Sequence, residues 1–133
     1  MANEAVIIEL FNGGRPIRYT CADGTGIAKG TLLEMTSDRT VVLATTGTAA
    51  FVGIAASEKV ANDGSTTISA YTDGIFDLVS DSGTDTVGVM MSTSAADNVI
   101  ETAVAADLLN QAVVGYYLEA GTNGGTQAVR INK

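Results

Sequence analysis

Residues 51–69 read FVGIAASEKVANDGSTTIS and residues 113–131 read VVGYYLEAGTNGGTQAVRI, so one pattern occurs twice in the chain. In both stretches an apolar run containing a glycine leads into a polar, glycine-containing turn and a second β-like run. A shorter pair precedes them, KGTLLEMTS at 29–37 and VGVMMSTSA at 87–95. The spacing predicts two copies of one unit, each a strand pair followed by a long hairpin, related by an approximate two-fold axis. The repeat units span about residues 29–79 and 87–132.

Glycines occupy matching positions in the two copies. Gly30 and Gly88 are the second residues of the two shorter stretches, and Gly53 and Gly115 lie inside the apolar runs. A glycine within an apolar strand indicates that another backbone passes close by or that the strand bends at a barrel corner. We therefore expect Gly53 and Gly115 to serve the packing of a barrel.

Alternation with a period of two, and enrichment in Val, Ile, Thr and Tyr, predict short strands along most of the chain. Turn dipeptides such as Asp63-Gly64 and Asp73-Gly74 separate them. Only residues 103–112 favour a helix, with Val104, Leu108 and Leu109 at the i, i+4, i+5 spacing of an amphipathic one. The predicted fold class is all-β, a small β-barrel or sandwich built from two approximate repeats with one short helix. The predicted strands are 5–11, 15–21, 31–36, 40–44, 51–57, 66–72, 75–79, 86–92, 98–102, 113–118 and 127–132.

The length of 133 residues predicts one domain with a substantial core. We assign residues 15–133 to a single β-barrel domain. Residues 1–14 form either an N-terminal arm or the first strand of that barrel, because terminal segments are disordered unless they are tied to a sheet or core.

The charge distribution argues against nucleic acid as a partner. The net charge is −8, and an acidic protein repels a phosphate backbone. Residues 1–59 carry five basic and six acidic side chains, whereas residues 60–133 carry two basic and nine acidic ones. No apolar run approaches the length of a membrane span, and the N-terminus lacks the basic start of a signal peptide. The lone Cys21 can form no intrachain disulfide, and we expect it to be a buried apolar residue.

The sequence offers little for catalysis or for metal binding. Histidine is absent, which removes the commonest general base and metal ligand, and we predict that the protein is not an enzyme. Asp73, Asp77, Asp81 and Asp85 recur every four residues, but solubilising surface charge explains them more simply than paired catalytic carboxylates do. The stretch DSGTD at 81–85 lacks the pattern of a calcium loop. We predict no catalytic, metal or cofactor site.

Two alternative functions remain open at this point. ASEKVA at 56–61 places Lys59 in a hairpin, similar to the modified-lysine turn of lipoyl or biotinyl carrier domains, although an ordinary surface lysine is the simpler interpretation. A carbohydrate-binding β-domain would need exposed aromatic rings, and the chain has no Trp. Tyr116 and Tyr117 are adjacent, so they point to opposite faces of a strand and form no stacking platform.

Three stretches in order, MANEAVIIEL, PIRYTCADGTGIAKGTLLEMT and FVGIAASEKVANDGSTTISAYTDGIFDLV, resemble the capsid decoration, or head-stabilising, proteins of tailed bacteriophages and prophages. In that family an N-terminal arm precedes a glycine-led strand, a V-G-I-A strand, a hairpin ending in Asp-Gly and a T-x-G-I/V-F strand. The likeness is strongest over residues 1–79.

The resemblance implies a virion structural protein that binds the outer surface of a phage capsid and stabilises it. It implies the major capsid protein of an HK97-like shell as partner, assembly as a homotrimer, and virions assembled in the host cytoplasm. With the apolar run AVIIELF and the near-neutral first half, it favours a capsid-binding surface near the N-terminus, while Lys29 would face the same side. The candidate interface residues are Ala5, Val6, Ile7, Ile8, Leu10, Phe11, Arg15 and Arg18.

Overall fold

The computed structural model describes residues 3–45, 47–81, 84–94, 98–122 and 124–133. Within them the regular secondary structure consists of short strands, a 3-10 turn at Asn12–Gly14 and one α-helix. The predicted all-β class with one short helix is confirmed. The elements are β1 Val6–Glu9, β2 Ile17–Thr20, β3 Leu32–Ser37, β4 Thr40–Leu43, β5 Phe51–Ala55, β6 Thr67–Tyr71, β7 Asp73–Val79, β8 Thr84–Asp85, β9 Met90–Thr93, β10 Ile100–Thr102, α1 Ala105–Leu109, β11 Val113–Tyr117, β12 Gly121–Thr122 and β13 Thr126–Asn132.

Strands β2 to β6 form a closed barrel in the order β2-β4-β3-β5-β6. Neighbouring strands are antiparallel except at the closure, where β2 and β4 meet in parallel at Thr20 and Thr40. Closure leaves no strand edge open in this half, which removes a site of unwanted strand addition. We call this half the first barrel.

The second half repeats this strand order in a six-stranded sheet, β1-β7-β13-β11-β9-β10. The run β10-β9-β11-β13-β7 corresponds element by element to β4-β3-β5-β6-β2. A parallel bridge between Ser80 and Ile100 joins the end of β7 to β10, as Thr20 and Thr40 join β2 to β4. These five strands are part of a sheet, and the isolated bridge is what joins its ends. For their shared strand order we call them the second barrel, and we call the junction of β7 with β10 its seam.

The matched glycines allow close approach of neighbouring backbone. A Cβ on Gly53 would lie 2.5 Å from the carbonyl oxygen of Tyr71, and one on Gly115 would lie 1.9 Å from that of Arg130. These distances confirm the expectation that another backbone passes close to each glycine. The predicted turn at Asp73-Gly74 is wrong, because β7 runs through it. Gly74 instead admits β1, since its Cβ would lie 2.7 Å from the carbonyl oxygen of Glu9.

A shared core joins the two barrels. The smaller apolar cluster, which contains Cys21, lies inside the first barrel, and this burial confirms the prediction for Cys21. The larger cluster takes side chains from both halves, including Leu32 and Phe51 from the first and Phe76 and Tyr117 from the second. The two barrels therefore form one hydrophobic unit.

Helix α1 is shorter than the predicted segment, and the face that it buries is not the one that carries its large apolar side chains. Asp107 is buried, and its Oδ2 accepts a hydrogen bond of 2.7 Å from the Val104 N–H. This contact satisfies one of the free donors at the helix start. Val104, Leu108 and Leu109 are exposed, so the apolar face expected from their spacing points away from the core.

Candidate functional site

Strand β1 is an edge strand of the second sheet. It pairs antiparallel with β7, with Val6 opposite Asp77 and Ile7 opposite Phe76, and a register shift follows Ile7. Its other edge has no strand partner within the described residues. The backbone groups along that edge are therefore available to a strand from another molecule.

The side chains of the N-terminal run divide between two faces. Ala5, Ile7 and Leu10 pack on the shared core. Val6 and Ile8 are 59% and 49% exposed, so two large apolar side chains stand on the outer face of an edge strand. Of the predicted interface residues in this run, Val6 and Ile8 are exposed, whereas the others are partly buried.

The segment before β1 is tied to the joint between the barrels by Asn98. The Asn98 side chain accepts a 2.7 Å hydrogen bond from the Leu32 N–H and donates to the carbonyl oxygens of Asn3, at 2.9 Å, and Gly30, at 3.1 Å. The Ala5 N–H also donates to the Gly30 carbonyl oxygen, at 2.8 Å. Residues from both barrels thus hold the start of the segment.

Phe11 and Arg15, which follow β1, lie at a charged cluster. Arg130 lies over the Phe11 ring, 4.7 Å from its centroid, and pairs with the buried Asp73. Arg15 reaches the same carboxylate at 3.4 Å, although its side chain is 58% exposed. Burial alone would raise the pKa of Asp73, but hydrogen bonds and charge attraction from Arg130 and then Arg15 outweigh it and lower that pKa. Asp73 is therefore a buried ion-pair residue, which corrects its assignment to solubilising surface charge.

Arg18 lies apart from that cluster on β2 of the first barrel. Its side chain is exposed, and its carbonyl oxygen accepts a 3.3 Å hydrogen bond from Arg39. The structure gathers Phe11 and Arg15 around Asp73, but it gives Arg18 no contact with β1 among the described interactions.

Lys59 is buried, so its prediction as a surface lysine is wrong. The residue is 4% exposed, and its Nζ donates to the carbonyl oxygens of Asp23, at 2.7 Å, and Val60, at 3.3 Å. The carboxylates of Asp23 and Asp63 lie 3.8 and 3.6 Å from Nζ. A carrier lysine must reach solvent to be modified, and this one is enclosed and fully bonded. The structure therefore gives the carrier alternative no support.

An exposed apolar surface, which the sequence analysis missed, lies beside α1. A groove of about 290 Å³ is lined by residues that include Met90, Leu108 and Tyr116, all exposed. A second groove of about 440 Å³ shares Gln111, Asn132 and Lys133 with it. No carboxylate lines either groove, although the chain has 15 acidic residues. We call these two grooves and α1 the α1 surface. The spacing of the leucines was visible in the sequence, but it was used only to predict the helix.

The remaining chemistry of the described residues is sparse. Tyr116 is exposed and Tyr117 is fully buried, as their adjacent positions predicted, and Tyr116 alone is not a stacking platform for sugars. Among the side chains that the structure describes, no three His, Cys, Asp or Glu groups lie close enough to hold a metal ion together. No described helix has the length and apolar character that a bilayer crossing requires.

The fold has similar solved structures, whereas the sequence searches found no match. No protein-family model matches the sequence, and no curated protein matches it. The fold is similar to that in the crystal structure of the head fiber gp8.5 N base in bacteriophage phi29, with a TM-score of 0.55 and 15% sequence identity. The match covers 88% of this chain and 92% of that chain. The resemblance to phage head proteins that the sequence indicated is thus confirmed at the level of the fold.

Proposed function

We propose that the protein is a virion structural protein that binds the outer surface of a phage capsid and stabilises it. The observation that carries this proposal is the likeness in fold to the N base of a phage head fiber over nearly the whole length of both chains. The proposed partner is the major capsid protein of an HK97-like shell. Bound copies stabilise such a shell by mass action, because rupture must also break their contacts.

Strand β1 is the proposed contact with the capsid. Its free edge can accept a capsid strand through main-chain hydrogen bonds, while the outward Val6 and Ile8 supply apolar contact. Ala5, Ile7 and Leu10 act from the core side by holding the strand in place. Specificity then comes from the outward side chains, since backbone pairing alone is common to all strands.

Charge supports the same orientation. The first half of the chain is near neutral and carries Arg15, Arg18 and Lys29, all with exposed side chains, whereas the second half is acidic. We propose that the basic residues face the shell and that the acidic half faces solvent. Exposed interface charges of this kind affect the association rate and its salt dependence more than they affect affinity.

The α1 surface is the proposed contact between copies in a homotrimer. Two acidic chains repel each other over most of their surfaces, but the grooves contain Arg130 and Lys133 and no carboxylate. Exposed apolar side chains in one continuous region commonly mark a protein interface. The protein would thus use different faces for the shell and for its sister copies.

A binding assay with heads that lack the protein tests the β1 contact. Heads purified from a deletion mutant of the phage or prophage that encodes the protein are mixed with Val6→Lys, Ile8→Lys or wild-type chain, and bound protein is measured by sedimentation. Val60→Lys is the matched control, because Val60 is 61% exposed in the first barrel and lies outside the proposed interface. We expect the β1 variants to bind at least about 10-fold more weakly, since each introduces a charge into an apolar contact.

Two results would refute parts of the proposal. If wild-type chain fails to sediment with the heads, capsid binding is wrong. If Val6→Lys, Ile8→Lys and Val60→Lys all bind like wild type, β1 is not the contact. Circular dichroism of each variant shows that lost binding does not reflect unfolding.

A further inference from the structure

Two carboxylates lie side by side on the outer face of the second barrel, at its seam. Ser80 and Ile100, which form the parallel bridge, are both fully buried. Successive residues of a strand point to opposite faces, so Asp81 and Glu101 both point outward. The Asp81 N–H donates a 2.8 Å hydrogen bond to the Ile100 carbonyl oxygen, which keeps these two acidic residues in adjacent register.

A buried hydroxyl without a partner lies on the same face. Ser92 on β9 is directly opposite Glu101 on β10, so the two side chains share one face of the sheet. Ser92 is 0% exposed, and its Oγ has no hydrogen-bond partner within the described part of the chain. Buried hydroxyls are nearly always paired, and a bound ion is one partner that would satisfy this one. The neighbouring Thr93 Oγ1 is also unpaired, but Thr93 lies opposite the buried Ile100 and faces the core, so of the two only Ser92 shares a face with the carboxylates. Two residues further on, the Ser94 Oγ donates to Asp81 Oδ2 at 3.2 Å and fixes that carboxylate.

The charges around this position are all negative. Burial raises the pKa of Glu101, and the carboxylates of Asp81 and of Asp107, on α1, raise it further. No Lys or Arg forms an ion pair with these three groups among the described residues. Like charges placed side by side on a sheet are destabilising. At the junction of β2 with β4 in the first barrel, the bridged Thr20 and Thr40 and the residues that follow them, Cys21 and Val41, are all uncharged, so closure of that barrel requires no acidic pair.

We propose that a divalent cation of the calcium or magnesium type binds at the seam, between the carboxylates of Asp81 and Glu101 and the Ser92 hydroxyl. These are oxygen ligands of the kind that both ions prefer, and water completes the coordination. With only two carboxylates the affinity is low, with a Kd of about 10⁻⁴–10⁻³ M. The ion links the end of β7 to β10. Without it, this junction is held by an isolated bridge, so ion binding strengthens the junction.

Calcium chloride is the probe, titrated into chelator-treated full-length protein by calorimetry, with magnesium chloride in parallel. Thermal unfolding is measured at the same time against sodium chloride of equal ionic strength. We expect saturable one-to-one binding and, at ten times the Kd, a Tm increase of about 3–6 °C. Asp81→Asn and Glu101→Gln should each weaken binding at least about 10-fold. Asp38→Asn is the control. Asp38 is exposed in the β3–β4 turn of the first barrel, away from the seam, so this change should leave binding unchanged.

Ser92→Ala separates a ligand from a merely structural hydroxyl. It should weaken calcium binding, yet raise Tm in cation-free buffer because it removes an unpaired buried group. The proposal is wrong if neither ion binds, or if Glu101→Gln retains the wild-type Tm increase with calcium. It is also wrong if the wild-type Tm rises on acidification but does not rise with either cation at neutral pH. In that case a proton shared by the Asp81 and Glu101 carboxylates, and not a cation, relieves their repulsion.

Discussion

Replacing Asn98 by alanine should destabilise the whole protein, because one side chain joins the two barrels and the N-terminal segment. The change removes three hydrogen bonds, from the Leu32 N–H and to the carbonyl oxygens of Asn3 and Gly30. Leu32 is fully buried, so its N–H would be left without a partner. At about 1 kcal/mol for each bond, and more for the stranded donor, we expect a loss of about 3–4 kcal/mol.

Asn62→Ala is the matched control for this prediction. Asn98 and Asn62 both have a φ of 60°, so alanine meets the same left-handed backbone strain at each position. Asn62 is exposed in a turn of the first barrel, whereas Asn98 is buried. The difference between the two variants therefore isolates the hydrogen bonds of Asn98 from the effect of backbone conformation.

Denaturant and thermal unfolding measure the effect. A loss of about 3–4 kcal/mol is a large part of the ~5–15 kcal/mol that stabilises a typical domain, and should lower Tm by about 10–15 °C. Asn62→Ala should lose no more than about 1 kcal/mol. If the two variants differ by less than about 1 kcal/mol, Asn98 does not join the barrels in the way described.

Three further predictions concern the cores and the buried charge. Gly115→Ala should lower the free energy of unfolding, measured with denaturant, by about 3 kcal/mol, because the added Cβ would force β11 away from β13. Gly24→Ala is the control and should be nearly neutral, because its Cβ would meet nothing closer than 3.8 Å. Asp73→Asn should lower Tm at pH 7. Because the pKa of Asp73 is lowered in the folded protein, the stability that its carboxylate contributes is present above the unfolded-state pKa and is lost as the pH falls through the folded-state pKa. The Tm values of wild type and variant, plotted against pH, should therefore converge below about pH 4, and parallel curves would contradict the ion pairs. Because burial raises the pKa of the Cys21 thiol, Ellman's reagent should modify native protein at least about 100-fold more slowly than unfolded protein, and equal rates would contradict its burial.

The strands were predictable because they depend on local patterns. Each predicted strand contains or overlaps an observed one, and the duplicated phrases correspond to strand pairs with the same neighbours, β5 with β6 and β11 with β13. Alternation and turn residues act over a few positions, so a single sequence reveals them. The two-residue strands β8 and β12 have no such pattern and were not predicted.

The buried charges were not predictable, because their partners are distant in sequence. Lys59 contacts Asp23, which lies 36 residues away, and Asp73 contacts Arg130, which lies 57 residues away. A charged side chain is rarely buried unless it is paired, so burial depends on pairings that only the fold creates. Helix α1 is a different case, because the partner of the buried Asp107 is the Val104 N–H, only three residues away; this contact turns Asp107 inward and leaves the leucines outside.

The placement of β1 connects the proposed function to the architecture. The strand pairs with β7 of the second barrel, while the residues before it bond to Gly30 of the first barrel and to Asn98 of the second. A load applied to β1 by a bound shell would therefore act on both barrels and on the core that they share, instead of peeling off one terminal segment. It follows that Asn98→Ala should weaken binding to phage heads by more than Asn62→Ala does, even at temperatures where both variants are fully folded. Equal binding by the two variants would mean that the anchoring of this segment plays no part in attachment.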